Sequence, residues 1–281
     1  MKGYKGFSKG LVCRGKQYEE NTVFEEAKAE ICKSGMHFCE NPFNVLDHYG
    51  FVNEKGEFNE FCEVEALDDV STDDNKKYCT TKLKIGAKLS FSGFVKACVD
   101  FVVEQTKVKG KENTTDDSVI SSKANSSQIG SSGDYAKIGS SGDYAKIGSS
   151  GYSAQIGSSG DYAQIGSSGD YAKIGSSGYS AQIGSSGYYA KIGSSGDSAK
   201  IGSSGDYAKI NSEGELSVIC CAGHNSVVKA KKGSWITLSE WELKGDKYTP
   251  ICVRTEYVDG ENIKADTWYK LVGGKFVEVR L

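Results

Sequence analysis

An isoleucine stands at every ninth position from Ile129 to Ile210. An alanine precedes it by two places from Ala136 to Ala208, and between them runs Gly-Ser-Ser-Gly with a variable pair such as Asp134-Tyr135 or Tyr152-Ser153. The unit is I-G-S-S-G-[DY]-[YS]-A-[KQ]. A helix is excluded, because two glycines per unit cost roughly 2 kcal/mol relative to alanine. In Tyr135-Ala136-Lys137-Ile138 the apolar residues alternate with polar or aromatic ones, the period of a strand. Ala and Ile then point inward, Tyr and Lys outward, and Gly139-Ser140-Ser141-Gly142 supplies the corner. One unit buries too little to stand alone, whereas stacked units share a continuous thin core. A flexible Gly/Ser linker is the alternative, but it has no reason to keep isoleucine in register.

Two units per coil give a two-faced roll, the favoured architecture. Three per coil is the rival, since Tyr152-Ser153-Ala154-Gln155 recurs as Tyr179-Ser180-Ala181-Gln182. Decayed copies extend the frame to Ile120 on one side and to Ile219 and Val228 on the other, with Ser217 and Ser226 in the alanine position. The expected fold is mainly β, with a nine-residue-repeat solenoid over 120–230 inserted between flanks. An α/β N-terminal domain covers 1–110, a linker 111–119, and a β-rich C-terminal flank 231–281 that could be completed by N-terminal strands.

The repeat misses the calcium-binding nonapeptide G-G-x-G-x-D-x-U-x, because Asp143 falls one place early and Tyr144 takes the carboxylate position. From Ile129 to Ile210 six aspartates (134, 143, 161, 170, 197, 206) face six lysines (137, 146, 173, 191, 200, 209), so a DNA-like acidic field is not expected. The outward rows are the candidate binding surface: Tyr135, Lys137, Tyr144, Lys146, Tyr162, Tyr171, Lys173, Tyr189, Lys191, Tyr207 and Lys209. Aromatic and basic ladders can engage a protein or stack bases. They can also simply stabilise the sheet surface, and the flat faces could pair two copies.

In the N-terminal flank, Lys2–Phe7 and Phe61–Ala66 alternate as strands. Asn41-Pro42 caps a short helix, Phe94–Val103 fits a second helix or a strand, and Asp68–Lys77 reads as a polar loop. Lys107–Asp117 is charged and leads into the repeats. In the C-terminal flank, Ser234–Leu238, Pro250–Arg254 and Trp268–Val272 read as strands, with hairpin signals at Gly245-Asp246 and Gly273-Gly274. Trp235, Trp241 and Trp268 are expected in the core or cap.

The nine cysteines show no C-x-x-C spacing and suit free, mostly buried thiols of a cytosolic protein. Cys13, Cys32, His37 and Cys39 could form a mixed metal site, although buried thiols are the commoner case. No apolar run of membrane length occurs, and the net charge of −3 brings no general attraction to nucleic acid. No phosphate loop, H-E-x-x-H or Ser-His-Asp pattern appears, and no cofactor is implied.

The strings Lys2–Phe7, Cys13–Tyr18 and Ile31–Pro42, with Val258–Leu271, resemble an uncharacterised domain of phage and prophage proteins that commonly brackets such a repeat. The resemblance implies a viral or mobile-element origin and, with no catalytic signature, an interaction protein in the host cytosol. Its partner would be a host protein such as a component of a defence system. Gly35–Pro42 followed by His48-Tyr49 also resembles a stretch of ADP-ribosyltransferases, although their Ser-Thr-Ser stretch is missing. That likeness implies a catalytic set of Arg14, His37, Glu63 and Glu65. A nucleic-acid or nucleotide binder, or a DNA mimic, is the third reading.

Overall fold

The computed structural model describes residues 1–53, 57–106 and 113–281, so residues 107–112 of the expected charged linker lie outside the described residues. Two compact units divide the chain, Met1–Cys98 and Val99–Leu281.

The N-terminal unit is built on a seven-stranded sheet whose neighbours all run antiparallel. Its order is Val23–Glu25, Lys82–Leu89, Glu60–Ala66, Lys2–Phe7, Met36–Cys39, Lys77–Thr80 and Val70–Ser71. The last strand is short and lies within the stretch expected to be a polar loop. Phe7, Tyr18, Met36, Val64 and Leu83 share one core cluster. Phe61 stacks on Phe94 at 4.0 Å between centroids. Helix α1 (Pro42–Val45) starts as its sequence requires, with the Asn41 side chain accepting the Phe43 N–H and proline in the first turn. Helix α2 (Phe91–Thr106) contains the expected second helix.

The second unit is a β-solenoid of about seven coils over residues 119–238, two nine-residue units to a coil. Each unit contributes one four-residue strand such as Lys137–Ser140, and strands 18 residues apart pair in parallel, as Ile138 pairs with Ile156 and Ile147 with Ile165. Alternate units therefore build two separate sheets. Their buried core is the isoleucine and alanine columns: Ala136, Ala163 and Ala190 are fully buried, as are Ile147, Ile165 and Ile183. The decayed units hold the same pattern, with strands at Val119–Ser122, Val218–Cys221 and Val227–Lys229 and with Ser217 and Ser226 buried.

One phase differs from the sequence expectation. The strand starts at Lys137, not Tyr135, and runs through Gly139 to Ser140, so the corner is Ser141-Gly142-Asp143-Tyr144-Ala145. Ser140 is buried on the inner side with Ile138, while Gly139 is half-buried on the outside. Period two holds across the whole strand, but its second half carries only small residues and no hydrophobic contrast.

The C-terminal flank continues the solenoid sheets. Trp235–Lys244 pairs in parallel with Val218–Cys221, then forms a hairpin with Lys247–Tyr257. Tyr269–Val272 joins the other sheet through Val228 and turns at Gly273-Gly274 into Lys275–Glu278. These strands thus extend the solenoid; the N-terminal strands form a sheet of their own. The tryptophans are not core residues. Trp235 is 40% exposed beside Tyr257, Lys229 Nζ lies 5.4 Å from the Trp268 ring, and Trp241 Nε1 donates to Ser239 Oγ and the Ala222 carbonyl. Indole N–H groups and amphipathic rings favour such half-wet positions.

Candidate functional site

The corner chemistry decides where the functional side chains point. At the inner corner position a Cβ on Gly178 would sit 1.9 Å from the Gly160 carbonyl oxygen of the coil below, so only glycine fits. Two places on, Tyr or Ser takes left-handed backbone angles, with φ from +53° at Ser180 to +58° at Ser198. That turn throws the side chain outward, and the N–H of Tyr135 donates to the Tyr152 carbonyl of the next coil. The tyrosines belong to the corners and not to the strands.

Because a coil has two corners, the expected ladder divides in two. Tyr135, Tyr171, Tyr189 and Tyr207 share one edge with Lys137, Lys173, Lys191 and Lys209, which open the strands of the adjoining sheet in register with Gln155. Tyr144 and Tyr162 stack 5.1 Å apart on the opposite edge. Lys146 lies on the other sheet and donates to Gln105 of α2 at 3.2 Å.

The first edge also holds four rings absent from the expected surface: Tyr152, Tyr188, His224 and Tyr248. Tyr152, Tyr188 and His224 occupy the place before the left-handed residue, alternating by coil with Asp134, Asp170 and Asp206; reading the repeat at a period of 18 would have revealed them. All eight rings form one unbroken chain of contacts, with centroids from 3.9 Å apart at His224–Tyr248 to 5.8 Å at Tyr135–Tyr152. Tyr207 and His224 are half-buried, and the other six rings are exposed, from 38% at Tyr189 to 50% at Tyr135 and Tyr248. Desolvation, then the neighbouring Tyr207, pushes the Tyr188 phenol up to about 12. That phenol is therefore neutral at physiological pH.

Beside the lysine row runs a lane of outward glycines. Nothing lies within 4 Å of a Cβ built on Gly139 or Gly157. On the other sheet the matching lane is occupied, since such a Cβ on Gly184 would meet Val99 of α2 at 3.3 Å. A trough of about 590 Å³ opens on the free lane, lined by Gln155, Lys173, Lys191, Lys209, Trp268 and Leu281 among others.

The second candidate lies in the N-terminal unit. A cavity of about 570 Å³ is lined by Arg14 and His37 but not by Glu63 or Glu65, so the four residues of the expected catalytic set are not brought together around it. Glu63 is exposed and Glu65 half-buried on the strand Glu60–Ala66, paired in register with Tyr4 and Lys2. This is the wet-face alternation of a strand. At the cavity wall Lys5 is only 5% exposed. Its Nζ donates to the His37 carbonyl at 2.8 Å and meets Cys13 Sγ at 3.4 Å, and Tyr49 Oη donates to the same sulfur at 3.1 Å. Burial lowers the Lys5 pKa, while Cys13 opposes that shift. Burial also lowers the pKa of His37, and Lys5, Arg14 and Lys77 lower it further. His37 Nε2 accepts the Cys32 N–H at 3.0 Å. The Cys39 thiol is pushed up to about 12 by burial. Among the described residues no group of three or more His, Cys, Asp or Glu side chains is placed to hold a metal ion, so Cys13, Cys32, His37 and Cys39 do not assemble the mixed site.

A family model described as "Domain of unknown function (DUF7666)" matches residues 1–97. No curated protein and no solved structure matches the chain. The family likeness therefore ends one residue short of the end of the first compact unit and leaves the solenoid outside it.

Proposed function

We propose that the chain is a non-catalytic interaction protein of phage origin whose solenoid edge binds a host protein, such as a component of a defence system. The observation that carries this reading is the unbroken, half-exposed row of seven tyrosines and one histidine. Exposed aromatic surface of this extent is the mark of an interface, where tyrosine gives large contact area at little entropic cost. The coil stack fixes each ring before contact, which reduces the ordering cost of association. The row of Lys137, Lys173, Lys191 and Lys209 suits acidic groups at the partner's rim.

Ring geometry favours a protein over nucleic acid. Tyr171, Tyr189 and Tyr207 already stack on one another, at interplanar angles of 14° and 18°, so those faces are not available to bases. Asp134, Asp170 and Asp206 stand on the same edge as the four lysines, which keeps the phosphate-attracting field weak.

The test uses serine, which occupies the same left-handed position at Ser153, Ser180 and Ser198. The full chain, a Tyr171→Ser/Tyr189→Ser/Tyr207→Ser variant and a Tyr144→Ser/Tyr162→Ser variant are used as baits in host lysate. The expected outcome is a protein retained by the wild type and the second variant and lost from the first. Equal retention by all three baits would falsify the assignment of this edge. Retention of nucleic acid instead, falling steeply with salt, would move the reading to the nucleic-acid class.

A further inference from the structure

We propose that the cavity of the N-terminal unit binds a small phosphorylated molecule of nucleotide size. Its volume, about 570 Å³, lies within the range of small-ligand sites. The charge lining it is unbalanced: Lys5, Arg14, Lys16, Lys33 and Lys77 stand against Glu26 and Asp47. Of the two carboxylates, Glu26 is engaged by Lys16 at 2.8 Å and by the Gly35 N–H at 3.1 Å. Lys33 pairs with Glu30. Arg14 is exposed at the rim, on a left-handed backbone at φ +50°, and Lys77 reaches Cys32 Sγ at 3.0 Å.

The fields of these cations converge on one imidazole. Burial is the first reason His37 resists protonation, and Lys5, Arg14 and Lys77 each disfavour its protonated form further. The contribution of the three cations has the sign that favours an anion in the cavity. Guanidinium and ammonium groups at a rim are the usual partners of phosphate oxygens, the first as a two-pronged donor and the second as a point charge.

The remaining wall explains the size class. Tyr4 and Tyr49 are half-buried in the lining and Phe38 is buried there, so a flat ring has aromatic surface to lie against. Tyr49 is held in place by its bond to Cys13 Sγ and by packing over Gly6, where a Cβ would come within 2.5 Å of Tyr49 Cβ. Lys5 is held by the His37 carbonyl, so the cavity is formed before any ligand arrives.

All these residues belong to the first unit, so this proposal stands or falls independently of the solenoid edge. The test is calorimetric titration of the full chain with ADP, GDP, CDP and UDP, with pyrophosphate, and with adenosine. The variants are Arg14→Gln/Lys77→Gln, whose side chains lie at the rim and outside the core, and Lys2→Gln as a control outside the cavity. Saturable binding of at least one nucleoside diphosphate is expected, tighter than pyrophosphate or adenosine by about tenfold or more. Loss of two charge-assisted contacts should weaken it at least about tenfold in the double variant and leave the control unchanged. Three outcomes overturn the proposal: no saturation by any of the four diphosphates at millimolar concentration, affinity unchanged in the double variant with its melting curve intact, or pyrophosphate binding as tightly as every nucleotide.

Discussion

Asp134 Oδ1 accepts the backbone N–H of Tyr152, 18 residues and one coil further on, at 2.8 Å. The same bond recurs from Asp143 to Asp161, from Asp170 to Tyr188 and from Asp206 to His224. The corner carboxylates are thus rungs between coils, which is why they are tolerated in a row despite mutual repulsion. Asn125 Oδ1 does the same for Asp143. Asp206→Asn should therefore leave stability nearly unchanged, and Asp206→Ala should lower it by about 1 kcal/mol, the usual worth of one such bond. Urea unfolding followed by circular dichroism distinguishes the two.

The two glycines of a unit have unequal duties. Gly178→Ala would push a methyl group into the Gly160 carbonyl, 1.9 Å away, and force adjacent coils apart. Gly157→Ala meets open space. The first change should cost several kcal/mol, on the order of 3 or more, and the second should be neutral or slightly stabilising through the unfolded chain. Thermal melts of the two single variants give the comparison.

Asp259 predicts an acid dependence in the C-terminal flank. Its carboxylate accepts the Glu261 and Ile263 N–H groups and the Asn262 side-chain amide, and its pKa is lowered to about 2. A depressed folded-state pKa contributes stability that is present above the unfolded value, about 4, and lost as pH falls towards 2. Asp259→Asn should be less stable than wild type at pH 7, and the gap should shrink as pH falls from about 4 to about 2. Unfolding midpoints measured across that window would contradict the assignment if the gap stayed constant.

Thiol reactivity should follow burial. Cys32 is exposed, Cys13 and Cys252 are half-buried, and Cys39, Cys62, Cys79, Cys98, Cys220 and Cys221 are buried. Burial pushes the thiols of Cys39, Cys62 and Cys221 each up to about 12. A disulfide reagent at pH 8 should label Cys32 first in the folded chain and reach those three only on unfolding. Mass mapping of labelled peptides over time reads the order.

The sequence made the solenoid legible through two columns, Ala136 to Ala208 and Ile129 to Ile210, since only a stacked core asks for such register. It made the two-unit coil legible as the simpler of two arithmetic options. It concealed the phase of the strand, because inward Ser140 and outward Gly139 differ too little in hydropathy to show which faces the core. It also concealed the corner, where tyrosine takes a backbone conformation that bulky residues seldom adopt. The outward rows read as one surface, yet Tyr144 and Tyr171, which look equivalent at period nine, lie on opposite edges at period 18. In the N-terminal unit, the motif that joined Arg14 to Glu63 and Glu65 follows chain order, whereas the cavity is assembled from strand ends and turns that are distant in sequence.

The alternation of units between two sheets gives the solenoid a parity. Gain or loss of a single nonapeptide would turn everything downstream by half a coil, exchanging the tyrosine edge for its opposite and bringing a different glycine lane under helix α2. Gain or loss of two would only lengthen or shorten the molecule by one strand spacing, about 4.8 Å. Variation by eighteens therefore changes length alone, while variation by nines changes which edge carries the downstream tyrosines.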